Sequence, residues 1–63
     1  MERSFTLRVA MTKGNMGYVY KRLGHLARTR SLFEEVHNIF TQSLGPDHPN
    51  TKQTAGDLAQ LSG

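Results

Sequence analysis

Phe40-Thr41-Gln42-Ser43-Leu44-Gly45-Pro46-Asp47-His48-Pro49-Asn50-Thr51 reads as the end of one helix, a stiff corner and the start of another. Apolar periodicity stops at Leu44, Gly45 can take the left-handed conformation that closes a helix C-terminus, and Pro46 cannot continue the helical hydrogen bonding. Asp47 or His48 can cap the next helix. Pro49 suits a first helical turn, where a missing N–H leaves no bond unmade.

Upstream of the corner the securest element is a helix from Leu26 to Leu44. Leu26, Leu32, Phe33, Val36, Ile39, Phe40 and Leu44 form a stripe of helical period with charges and amides between them. A first helix is expected from about Ser4 or Thr6 to Leu23, with Leu7, Ala10, Met11, Met16, Val19, Tyr20 and Leu23 at spacings of three and four. Gly14 and Gly17 weaken it, since each interior glycine costs about 1 kcal/mol relative to alanine. They suggest either a boundary near Gly14 or a close helix approach at Gly17, and the competing expectation is a helix that starts only at Met11 or Asn15, after an irregular or strand-like Ser4 to Val9, with residues 1–10 an irregular lead. Gly24 can take the positive φ of a tight turn, which makes the first two helices antiparallel neighbours. Downstream, a third and shorter helix runs from Pro49 to Leu61, with Ala55, Leu58, Ala59 and Leu61 as its docking face. The fold class is all-α, an antiparallel hairpin plus a short helix.

Length limits how self-sufficient this can be. A chain of 63 residues without cysteine has no disulfide staple, and its apolar burial roughly balances the entropy of ordering it. Either two or three helices associate marginally, or neighbouring repeats, a second copy or a partner complete the core. Charge divides unevenly: residues 1–33 carry seven cations against Glu2, and residues 34–63 carry Lys52 against Glu34, Glu35, Asp47 and Asp57. The net +3 thus hides a basic half of +6 and an acidic half of −3. A basic half can meet an acidic protein, nucleic acid or anionic lipid, or can simply be a solvated helix face.

Several chemistries find no support. His25, His37 and His48 fall on a turn, a helix and the corner, without the i, i+4 spacing of a zinc helix and without cysteine. Gly14-Asn15-Met16-Gly17 lacks the lysine-serine or lysine-threonine end of a phosphate loop. No nucleophile motif is present. The reading is therefore of a protein that is not an enzyme and uses no cofactor or metal. The basic start has the composition of a mitochondrial presequence, but removing it would delete a helix the rest needs. With no secretory signal and no stretch approaching the ~20 apolar residues of a membrane span, an intracellular location is favoured.

Leu44-Gly45-Pro46-Asp47-His48-Pro49 resembles the corner that ends repeats in tetratricopeptide repeat (TPR) proteins of the kinesin-light-chain-like type. Asn15-Met16-Gly17-Tyr18-Val19-Tyr20 and Leu23-Gly24 resemble the Asn-Leu-Gly-x-x-Tyr pattern and turn glycine of a TPR first helix. On the second helix Phe33 fits, while Thr29 and Val36 stand in place of the usual alanines. Asp57-Leu58-Ala59 follows Asn15-Met16-Gly17 at an offset of 42, longer than the usual ~34 and similar to the extended repeats of kinesin light chains. The resemblance covers most of the chain and implies a single TPR-like unit of about one and a half repeats. It places a helical hairpin over 11–44, a corner over 45–48 and the first helix of the next repeat over 49–61.

The same matches carry implications for individual residues. Gly17 would let the hairpin helices approach, Tyr20 and Phe33 would fill the space between them, and Gly24 would reverse the chain, with Val36, Phe40 and Leu44 packing alongside. Asn15, Tyr18, Lys21 and Arg22 fall on or beside the face that lines the concave groove of TPR arrays. There Asn15 would bond a peptide backbone, and Lys21 and Arg22 would attract acidic groups. Each also has a plain structural explanation: Asn15 can satisfy helix backbone, Tyr18 can be a half-buried aromatic, and Lys21 and Arg22 can complement the helix dipole. The implied function is a protein–protein interaction or assembly module. Its partner would be a protein or peptide, acidic ones included, and self-association or a larger complex is expected. The competing expectation is a small basic helical nucleic-acid-binding protein, for which Arg28-Thr29-Arg30 is the only cluster on the long second helix.

Overall fold

The computed structural model describes residues 2–62. Over them the chain forms three α-helices, α1 (Glu2–Arg22), α2 (Leu26–Leu44) and α3 (Pro49–Ser62), with no strand among the described residues. α2 is the middle of the fold, and both α1 and α3 pack against it. This is the antiparallel hairpin with a third helix.

α1 starts earlier than Ser4, ends at Arg22 rather than Leu23, and passes Gly14 unbroken. Residues 2–10 are thus helix, not an irregular lead; Met1 lies outside the described residues. The cause is tertiary packing. Ala10 is fully buried with Val36 and Phe40, and Leu7, Ile39 and Leu44 close around them. Such burial outweighs the glycine penalty, as it does for most helices whose stability comes from an apolar face. The apolar residues of α1 nonetheless divide between two faces. Leu7, Ala10 and Gly17 face inward, whereas Val19 is 56% exposed, with Met16 also open, and Leu23 just beyond the helix is 64% exposed.

The α1–α2 turn closes as a Schellman motif. The His25 N–H donates to the Tyr20 carbonyl at 2.9 Å, the Gly24 N–H to that of Lys21 at 3.1 Å, and Gly24 carries φ +85°. Tyr20 meets the His25 ring edge-on at 6.0 Å and lies beneath the Arg28 guanidinium at 5.5 Å. It is therefore half-buried at the turn end of the hairpin, and Phe33 alone of that pair fills the helix–helix contact.

That contact is tight. A Cβ built on Gly17 would lie 2.5 Å from Cε1 of Phe33, closer than real carbons come, so only glycine admits the ring. Thr29 is fully buried beside it without orphaning its hydroxyl, which donates to the His25 carbonyl at 3.0 Å.

At the corner Gly45 departs from the left-handed helical conformation. Its φ is +92° and ψ 157°, while its N–H donates to the Phe40 and Thr41 carbonyls, both at 3.2 Å. Helix closure sets the sign of φ, and the following Pro46 forces ψ to the extended value. His48 then caps α3: its carbonyl accepts the Lys52 N–H at 3.0 Å, and its Nδ1 accepts the Asn50 N–H at 3.1 Å.

α3 docks on a different face from the alanine-leucine one. Thr51 and Thr54 are buried, Leu58 and Leu61 partly so, and Ala55 and Ala59 are exposed. Threonines can occupy such a face because the hydroxyl can bond back to the helix, as Thr54 does to the Asn50 carbonyl at 3.0 Å.

Candidate functional site

α1 and α3 flank α2 on one side and leave a groove of about 210 Å³ between them. Its floor is Phe33, Val36 and Phe40 of α2. One wall comes from α1, with Ala10, Met11, Gly14, Asn15 and Tyr18, and the other from α3, with Asn50, Gln53, Thr54 and Asp57. The floor is apolar and the walls carry three carboxamides. That combination suits a side chain seated on the floor and a backbone bonded at the rim.

Tyr18 ties the walls together. Its ring meets Phe33 at 5.2 Å and 67°, the edge-on geometry that aromatic quadrupoles favour, and its hydroxyl donates to Oδ2 of Asp57 at 2.9 Å. The bond to Asp57 is the main reason the phenol is pushed above its ordinary value. Partial burial and the negative charge of Asp57 add to it, and a hydrogen bond with Gln53 acts the other way.

The four residues singled out on α1 divide in two. Asn15 and Tyr18 line the groove. Lys21 and Arg22 are exposed in the last turn of α1 and do not line it. Part of the basic half is engaged elsewhere: Lys13 pairs with Glu35 at 2.7 Å, and Arg28 sits over Tyr20. Among the described residues no group of histidines and carboxylates could hold a metal ion, and no helix is long and apolar enough to cross a membrane.

Asn50, Gln53 and Asp57 are groove residues that sequence reasoning does not assign to a site. The signal for Asp57 is its place 42 residues after Asn15. Asn15 and Asp57 lie on the two walls of one groove. For Asn50 and Gln53 no such signal exists, since their place depends on how α3 is set against α2.

Residues 8–61 match the family model described as tetratricopeptide repeat. No curated protein and no solved structure matches the chain.

Proposed function

We infer a protein–protein interaction and assembly module, because this chain belongs to the tetratricopeptide repeat family. Repeats of this family are typically scaffolds without catalytic chemistry, and the finer assignment to the kinesin-light-chain-like type rests on the Leu44–Pro49 corner and the 42-residue offset. The observation that carries the reading is the groove, with an apolar floor at Phe33, Val36 and Phe40 and carboxamide walls. An extended peptide seats one apolar side chain on that floor, while Asn15 on one wall and Asn50 on the other take up its backbone groups.

Gly14→Leu tests this without threatening the fold. A Cβ at Gly14 meets nothing within 4 Å, and leucine raises helix propensity while projecting into the groove. Peptides selected from a displayed random library against the intact chain should lose binding to Gly14→Leu while its thermal melt holds or rises. Equal binding to both would remove the groove reading.

Assembly has its own support. Thr51, Thr54, Leu58 and Leu61 dock α3 on α2, and 42 residues earlier stand a half-buried Val9 and the exposed Thr12, Met16 and Val19 of α1. The face equivalent to a docked one is thus uncovered, which suits self-association or a larger complex. Sedimentation equilibrium across a concentration range checks it; a monomer at every concentration would contradict self-association.

A further inference from the structure

The chemistry of the groove walls deepens the peptide-groove reading, and the selectivity it implies rests on that reading. Asp57 is the one charged residue among the described residues lining the groove. Lys21 and Arg22, the cations that would draw an acidic partner, do not line it. We propose that the groove selects a peptide bearing a large apolar residue next to lysine or arginine, the apolar side chain on Phe33 and Val36 and the cation against the Asp57 carboxylate.

Three observations support this. The Tyr18 hydroxyl occupies Oδ2 of Asp57 and fixes the carboxylate at the groove wall, so its position is set before a ligand arrives. An ionised carboxylate has about four acceptor sites, and one donor from Tyr18 leaves the rest open. Tyr18 itself lines the groove beside Asp57, offering aromatic surface to the aliphatic stem of lysine or the plane of arginine. The net charge of +3 opposes a cationic ligand at long range. That field is screened beyond about 8 Å at physiological salt, whereas contact with Asp57 is not. Contact therefore decides selectivity, and net charge only slows encounter.

The test uses the intact chain, ¹⁵N-labelled, titrated by NMR with three acetylated and amidated hexapeptides, glycine-serine-leucine-X-serine-glycine, where X is lysine, glutamine or glutamate. NMR suits the weak binding expected of so small a groove. The lysine peptide should bind tightest and the glutamate peptide weakest, about fivefold apart at physiological salt, with shifts at Asn15, Phe33 and Asp57. Asp57→Asn keeps an oxygen to accept from Tyr18 but removes the charge, and should bring the three affinities together. If the glutamate peptide binds as tightly as the lysine peptide, the charge selectivity is overturned and the groove stands. Should none of the three move the groove resonances, the groove reading falls and this inference with it.

Discussion

Gly17 and Phe33 stand so close that the space a Cβ would need at Gly17 is filled by the edge of the Phe33 ring, with Cε1 at 2.5 Å and Cδ1 at 2.9 Å. The ring cannot retreat, being 2% exposed and held edge-on by Tyr18. Gly17→Ala should therefore destabilise the chain by about 1–3 kcal/mol despite alanine's better helix propensity. Phe33→Leu should recover much of that loss in the double variant, since it frees the ring's space. Gly56→Ala is the control: α3 there is exposed with nothing within 4 Å, and it should gain about 1 kcal/mol. Urea melts followed by circular dichroism read all four variants.

The two glycine turns are legible in the sequence because their requirement is local. A helix that must stop and reverse within three or four residues needs a positive φ, and Gly24 and Gly45 both supply one. The stripe of α2 is legible for the same reason, since Phe33, Val36 and Phe40 lie on one face whatever surrounds them. α1 is harder, because residues three and four apart can alternate between opposite faces, and Leu7 and Ala10 face inward while Met16 and Val19 do not. On α3 the buried face carries Thr51 and Thr54, which hydropathy scores as neutral. The groove depends on the placement of α1 and α3 about α2, which no single segment encodes, so Asn15 and Tyr18 come into view from one wall and Asn50 and Gln53 do not.

Gly45 should tolerate neither alanine nor asparagine. Asparagine often replaces glycine in the left-handed helical region, but ψ of 157° with φ of +92° lies where side chains of either kind clash. Both substitutions should cost about 1–3 kcal/mol in chemical denaturation. An asparagine variant as stable as the parent would show that Gly45 adopts the left-handed helical conformation in solution.

Thr51 carries a buried hydroxyl with no hydrogen-bond partner, and the residue is 2% exposed. Valine has nearly the same shape and no polar atom to desolvate, so Thr51→Val should raise stability by about 1 kcal/mol. Thr54→Val should gain little or lose, because the Thr54 hydroxyl is already satisfied by the Asn50 carbonyl. Thermal melts of the two variants side by side separate a desolvation effect from a general preference for apolar side chains on this face.

Tyr18 links stability to alkaline pH. Only the neutral phenol can donate to Asp57, so the folded chain holds the proton above the ordinary value of 10.0, while the unfolded chain releases it there. Between those two values the folded state binds more protons than the unfolded state, and stability must fall as pH rises. Below the ordinary value both states are protonated and the contribution is fully present. Tyr18→Phe removes the donor and the titration together, and should cost about 0.5–1 kcal/mol near neutral pH, the lower part of the range because the pair is exposed. The advantage of the parent chain over Tyr18→Phe should stay level to about pH 10 and then shrink, as the unfolded chain releases the Tyr18 proton that the folded chain still holds. Urea melts of both chains from pH 7 to 11 measure it, and a difference that stays constant across that range would mean that the hydrogen bond to Asp57 does not hold α1 to α3 in solution.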